Sequence, residues 1–252
     1  MLRLSTGLGD FTNGRGSIKQ AFTYGHLDFY TGSQPSSADE AINGSLVARV
    51  SNASGVWTAE TPSYGIVNFT GGAAGSLDTL TVNGVDVLGG AVSFSGSLAN
   101  TMVLVAAQIN AKRTTPNYVA SIPTAGVATM HLTAEPGLGT GPNTYAIAHT
   151  ETTITVTKTD FANGVASANG LLFTASSSRT ISKSGTWSGL ILLTDTVGWF
   201  RLCGPWTDAG TYSTSLMRID GSVLADMSAA NVSLTAGRTL TINQFDLVAN
   251  AY

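Results

Sequence analysis

Short alternations of apolar and polar residues run through most of the chain, and they predict a β protein. HLDFYTG, from His26 to Gly32, sets Leu27, Phe29 and Thr31 against Asp28 and Tyr30, the period-2 pattern of a half-buried strand. SQPSSADEAINGS (Ser33 to Ser45) is turn chemistry throughout. LVARV (Leu46 to Val50) resumes a strand, and VWTAETPSYGIVNF (Val56 to Phe69) supplies strand pieces broken by Pro62 and Gly65. Ahead of these, Gly16 to Gly25 places Ile18, Ala21 and Phe22 on one face of a short helix. Beyond Phe161 the pattern is β again, in LLFTAS, RTISKSGTWSGLILL, VGWFRLCG, SLMRIDGSV and NVSLTAGRTLTINQFDLVANAY. Within VGWFRLCG, adjacent Trp199 and Phe200 must point to opposite faces, which predicts one in the core and the other at an interface or under a loop.

A different pattern occupies the middle. GGAAGS (Gly71 to Ser76) reads as a linker, and TLTVNGVDVLGG beyond it is a hairpin signal, because Asn83-Gly84 tolerates the positive φ of a type I′ turn. AVSF (Ala91 to Phe94) extends that sheet. Ser97 then caps a helix running to Arg113, with Leu98, Met102, Val105, Ala106 and Ile109 at helical spacing and Lys112 and Arg113 in the last turn. YVASI, VATMHLTA and TYAIAHTETTITVTKT supply a covering sheet together with the hairpin. These segments predict an inserted α/β module, ββαβββ-like, over residues 76–163. The two chain ends, 1–75 and 164–252, then build one discontinuous β-sandwich or jelly-roll-like domain, since the first 70 residues carry too few strands for a sandwich alone.

Composition narrows the function. Hydrophobic residues at 43% and charged residues at 11% exclude a disordered chain. Twelve Lys and Arg against fifteen Asp and Glu leave a net charge of -3, too balanced for a phosphate-neutralising surface, so no nucleic-acid partner is expected. No apolar run approaches the roughly 18 residues of a membrane helix, and no membrane partner is expected. The opening MLRLSTGLGDFTNG lacks the apolar middle of a secretory signal, which predicts a chain that stays where it is made. Cys203 is the single cysteine and excludes an intrachain disulfide framework.

Candidate chemistry is sparse. His131 and His149 lie mid-strand, His26 reads as a cap or loop residue, and no GxSxG or HExxH motif is present, so no catalytic residue, metal or cofactor is assigned. Asp39-Glu40, Asp195, Asp208, Asp220 and Asp226 invite a glycosidase pair, but most neighbour Gly, Ser or Ala in turns, where Asp bonds its own backbone. GLGTGPN (Gly137 to Asn143) lacks the Lys-Ser/Thr of a phosphate loop and enters no helix. Trp57, Trp187, Trp199, Phe200, Trp206 and Tyr212 could line a sugar platform, although core packing explains them more simply. Asn-x-Ser/Thr matches at Asn43, Asn52, Asn68 and Asn231 are what chance gives in so Ser- and Thr-rich a chain.

MLRLSTGL, LDFYTGSQPSSADEAINGSLVA, SKSGTWSG, GWFRLCG, MRIDGSV and LTAGRTLTINQFDL resemble a family of virion structural proteins of tailed bacteriophages, over roughly residues 1 to 70 and 165 to 252. The middle, with TLTVNGVDVLGGAVSF and PNTYAIAH, is similar to a module that recurs as an insertion in phage head and tail proteins. The resemblance implies a non-enzymatic particle component made in the bacterial cytoplasm. It would be a homo-oligomer bound to the major capsid protein or to tail proteins, either as a head decoration protein or as a tail, collar or fibre part touching host glycans. Candidate assembly contacts are Leu2, Leu4, Leu8 and Phe11 in an N-terminal arm that orders on a neighbour, with Trp199, Trp206 and Tyr252.

Overall fold

The computed structural model describes residues 1–14, 16–112, 114–175, 177, 180–223 and 233–248. The protein is mainly β, with several antiparallel sheets. It divides into two compact units: Met1–Glu60 with Ser167–Tyr252, and Thr61–Ala166 inserted between them. The insertion thus starts at Thr61, where the sequence pattern placed a boundary at 76.

The first segment of the discontinuous unit holds β1 (Arg3–Leu4), α1 (Thr6–Gly14), α2 (Ile18–Phe22), β2 (His26–Tyr30) and β3 (Leu46–Asn52). The inserted unit holds β4 (Tyr64–Gly71), β5 (Ser76–Val82), β6 (Val85–Asp86), β7 (Val92–Ser93), α3 (Leu98–Ala111), β8 (Tyr118–Ser121), β9 (Thr129–Ala134), β10 (Ile147–Thr152) and β11 (Thr155–Ala162). The returning segment adds β12 (Leu172–Phe173), β13 (Thr180–Ser184), β14 (Trp187–Leu190), β15 (Asp195–Thr196), β16 (Trp199–Cys203), β17 (Arg218–Ser222), β18 (Ser233–Leu234), β19 (Thr239–Ile242) and β20 (Asp246–Val248).

In the inserted unit the local signals act as the sequence predicts. Ser97 Oγ accepts the Asn100 N–H and starts α3, whose Met102, Val105, Ala106 and Ile109 are buried. Asn83 and Gly84 take positive φ and turn β5 into β6. One core joins α3 to two sheets, β10-β5-β6 with β7 on β5, and β11-β4-β9-β8. TYAIAHTETTITVTKT, expected as one segment, breaks at Thr153 (φ 65°) into β10 and β11, which join different sheets. Gly71 to Ser76 is a tight connection rather than a linker. A Cβ at Gly75, whose φ is positive, would lie 1.8 Å from the Thr152 carbonyl oxygen, so glycine serves close approach here.

The discontinuous unit is built on a seven-stranded antiparallel sheet in the order β1-β17-β16-β2-β3-β14-β19, with a three-stranded sheet β12-β13-β20 and the pair β15-β18. Leu27, Phe29, Ala48, Val50, Phe200, Leu202 and Ile219 share a core with Leu8, Phe11, Ala21 and Phe22 of the two helices. Ser17 opens α2 with a capping box closed by Gln20. The N-terminal segment is not a free arm, because α1 docks Leu8 and Phe11 into that core. Ser5 Oγ accepts the Leu8 N–H at 3.2 Å, and Asp39 receives the Thr6 N–H at 2.9 Å. Gly7, unfavourable for a helix by itself, lets α1 pack against the Ser215 backbone, which a Cβ would meet at 2.5 Å.

Candidate functional site

Alternation along β2 puts Leu27 and Phe29 on the core face, and His26, Asp28 and Tyr30 on the other. That second face is not solvated, since all five residues of β2 and all five of β16 are buried. Strand register sets one charged residue from each of five strands side by side. Arg3 on β1 faces Asp220 on β17, which faces Arg201 on β16, which faces Asp28 on β2, which faces Arg49 on β3. Signs alternate across the row, so each carboxylate has a cation on both sides.

The contacts are bidentate. Arg201 Nε and Nη2 donate to the two Asp220 oxygens at 2.7 Å each, with both side chains fully buried. Arg49 donates to Asp28 at 2.8 and 2.7 Å. One row along, Arg218 grips Asp208 at 2.6 and 2.5 Å. Burial alone would raise the Asp28 carboxyl, but hydrogen bonds from Arg49 and His26 and their charges outweigh it and hold it at about 2. Asp208 is likewise held low, its burial outweighed by Arg218 and the Gly210 N–H. At Asp220 burial prevails over Arg201 and pushes the carboxyl above its ordinary value. Burial, and then Asp28, push the Tyr30 phenol up.

The guanidiniums also tie down the loops that cover this face. Arg201 Nη2 reaches the Glu40 carbonyl at 3.1 Å, Arg218 Nη1 reaches those of Ala38 and Asp39 at 3.4 and 3.5 Å, and Arg218 Nη2 reaches Thr211 at 3.0 Å. Trp199 stacks on Tyr30 at 4.6 Å and donates its indole N–H to the Thr31 carbonyl at 3.1 Å. The loops bond each other too, Ile42 N–H to Gly210 and Ser213 N–H to Asp39, both at 2.8 Å.

Among the described residues, each carboxylate and histidine that the sequence offered for catalysis has a structural partner. Asp208 and Asp220 are each locked to a buried arginine, Asp195 accepts the N–H of Thr196, and Asp39 caps α1. His26 is not a cap or loop residue: it begins β2, buried, with Nε2 3.4 Å from Asp28 and its ring 4.0 Å from Trp57. Cys203 lies 3.7 Å from Asp208, and burial followed by that carboxylate pushes its thiol well up, away from a nucleophilic thiolate. In the inserted unit His131 stacks on Tyr64 and His149 Nδ1 meets Glu151 at 2.7 Å. Among the described residues no group of three or more His, Cys, Asp or Glu could hold a metal, and no helix is long and apolar enough to cross a membrane. GLGTGPN forms a loop with a short 3-10 turn over Gly141–Thr144.

Of the candidate assembly contacts, Leu2 and Leu4 are exposed, at 42% and 55%. Leu8, Phe11, Trp199 and Trp206 are buried within their own chain, a correction to their reading as contacts, because packing already uses them. Phe200 is in the core and Trp199 under a loop, as their adjacency requires. Tyr252, Asp226 and Asn231 lie outside the described residues. Sequence reading missed the charged row. Its signal was a set of charged residues at the strand positions opposite the apolar face, in HLDFY, WFRLC and RIDGS. Scans against family models, curated proteins and solved structures match nothing to this chain.

Proposed function

We propose that this chain is a structural component of a tailed-phage particle, and within that class a head decoration protein that bridges capsomers as a homo-oligomer. The observation that supports this best is the buried arginine–aspartate row. It spends the polar groups of the largest sheet on neutralising one another and on pinning the loops at Ala38–Glu40 and Thr211, an arrangement suited to a rigid binding surface. We read the discontinuous unit as a sandwich, with β12-β13-β20 facing the larger sheet through Phe173, Trp187, Phe200 and Phe245, whose ring centroids lie 5.1 to 6.2 Å apart along that chain of contacts.

A tail, collar or fibre location with glycan contact is the second reading. Tyr212 favours it, because it is 67% exposed next to Thr211, whose carbonyl Arg218 holds. Imaging purified virions with an antibody to the chain, together with its copy number, separates the readings. High-copy label over the head is expected. Label restricted to the neck or tail overturns decoration, and a chain missing from particles overturns the virion reading.

A further inference from the structure

We propose that the outer edge of β1 is a strand-addition site for an extended segment of another protein, one that presents an acidic residue between two apolar ones. β1 is the terminal strand of the seven-stranded sheet. The Ser5 N–H donates to the Arg218 carbonyl at 3.1 Å, and Arg3 and Leu4 face Asp220 and Ile219. In antiparallel pairing the backbone groups of alternate residues point the same way, so those of Arg3 and the N–H of Ser5 are aimed at β17 and those of Leu4 at the open edge, while the Ser5 carbonyl turns into α1 and accepts the Gly9 N–H.

Three observations define what fits there. First, the charged row ends on Arg3. Asp220 is taken bidentately by Arg201, and the Arg3 guanidinium makes one 3.5 Å hydrogen bond, to the Gln34 carbonyl, and lends its charge to the Glu40 carboxylate without a hydrogen-bonded carboxylate of its own among the described residues. A further strand carrying a carboxylate opposite Arg3 would continue the alternation of sign. Second, Leu2 and Leu4 flank Arg3 on the sheet's other face. Leu2 lies over Gly221, and both leucines stay largely exposed at the core margin, where apolar residues of an added strand would cover them. Third, the edges of one of the inserted unit's two four-stranded sheets, β11-β4-β9-β8, are blunted, as natural edges usually are. Asn110 bonds both the N–H and the carbonyl of Ala120 on β8, at 2.8 and 2.9 Å, and β11 carries the ion pair Lys158–Asp160. β1 is protected only by its shortness and by Arg3, the group that an acidic partner strand would meet.

A second copy fits less well, because antiparallel self-pairing through Leu2 and Leu4 sets Arg3 against its own counterpart. Strand addition can be tested on the isolated chain and stands apart from the virion reading. Short fluorescein-labelled peptides, Val-Asp-Val or Val-Lys-Val flanked by Thr and Ser, are titrated with the full chain and followed by anisotropy. The Asp peptide should bind roughly tenfold or more tighter than the Lys peptide. Arg3→Glu should reverse that order, which misfolding cannot imitate. Leu4→Pro, which removes the outward N–H of an exposed residue, should abolish both while tryptophan-monitored melting is unchanged. Absent or equal binding of the two peptides, or an order indifferent to Arg3→Glu, overturns the proposal. So does dimerisation of the peptide-free chain that Leu4→Pro abolishes, since a second copy would then be the occupant.

Discussion

Replacing Asp220 by Leu leaves the Arg201 guanidinium fully buried, with the Glu40 carbonyl as its remaining hydrogen-bond acceptor. Breaking a buried pair from one side costs about 3–5 kcal/mol, because the stranded charge keeps its desolvation penalty without its counter-ion. Replacing both partners, Asp220→Leu with Arg201→Met, removes that penalty and should recover most of the loss. All four tryptophans, Trp57, Trp187, Trp199 and Trp206, belong to the discontinuous unit, so intrinsic fluorescence follows its unfolding selectively. With several degrees of melting temperature per kcal/mol, the single variant should melt roughly 10 °C or more below the parent, and the double variant close to it. A single variant costing under about 1 kcal/mol would refute the reasoning, since that is the worth of a solvated surface pair. A double variant as unstable as the single would refute it differently, by showing that loop pinning outweighs charge compensation.

Two further outcomes follow from the same sheet. Asp28 sits at about 2 when folded against 3.8 as its ordinary value, so its stabilisation is fully present above pH 3.8 and is lost as pH falls toward 2. The loss from this group is about 2 kcal/mol, and carboxyl-carbon NMR should place its midpoint near pH 2 in the parent and clearly higher in Arg49→Gln. Gly189→Ala should prevent β14 from pairing with β3, because the added Cβ would lie 1.8 Å from the Arg49 carbonyl oxygen; soluble expression and the tryptophan-monitored melt test this, and a parent-like melt would contradict it.

What the sequence determined by itself is local. Ser97 and the apolar spacing from Met102 to Ile109 specify α3, Asn83-Gly84 specifies its turn, and alternation in HLDFY and WFRLC assigns each side chain to a face. Those signals depend on neighbours a few residues apart, where backbone sterics and hydrogen-bond geometry leave few choices. Glycine-rich stretches were ambiguous. Gly75 and Gly7 answer to chain segments that approach from far along the sequence, and so the linker at 71–76 proved a tight turn and the N-terminal arm a docked helix. Only the tertiary structure decided what covers the polar face. Period 2 identified Asp28 and Tyr30 as sharing a side but was silent on whether water or protein lies above it. Arg201 and Asp220 meet because β16 and β17 are neighbours, while Arg218 and Asp208 meet because a loop folds back. Charges find such partners through long-range pairing, and the low dielectric of the covered face makes each pairing matter.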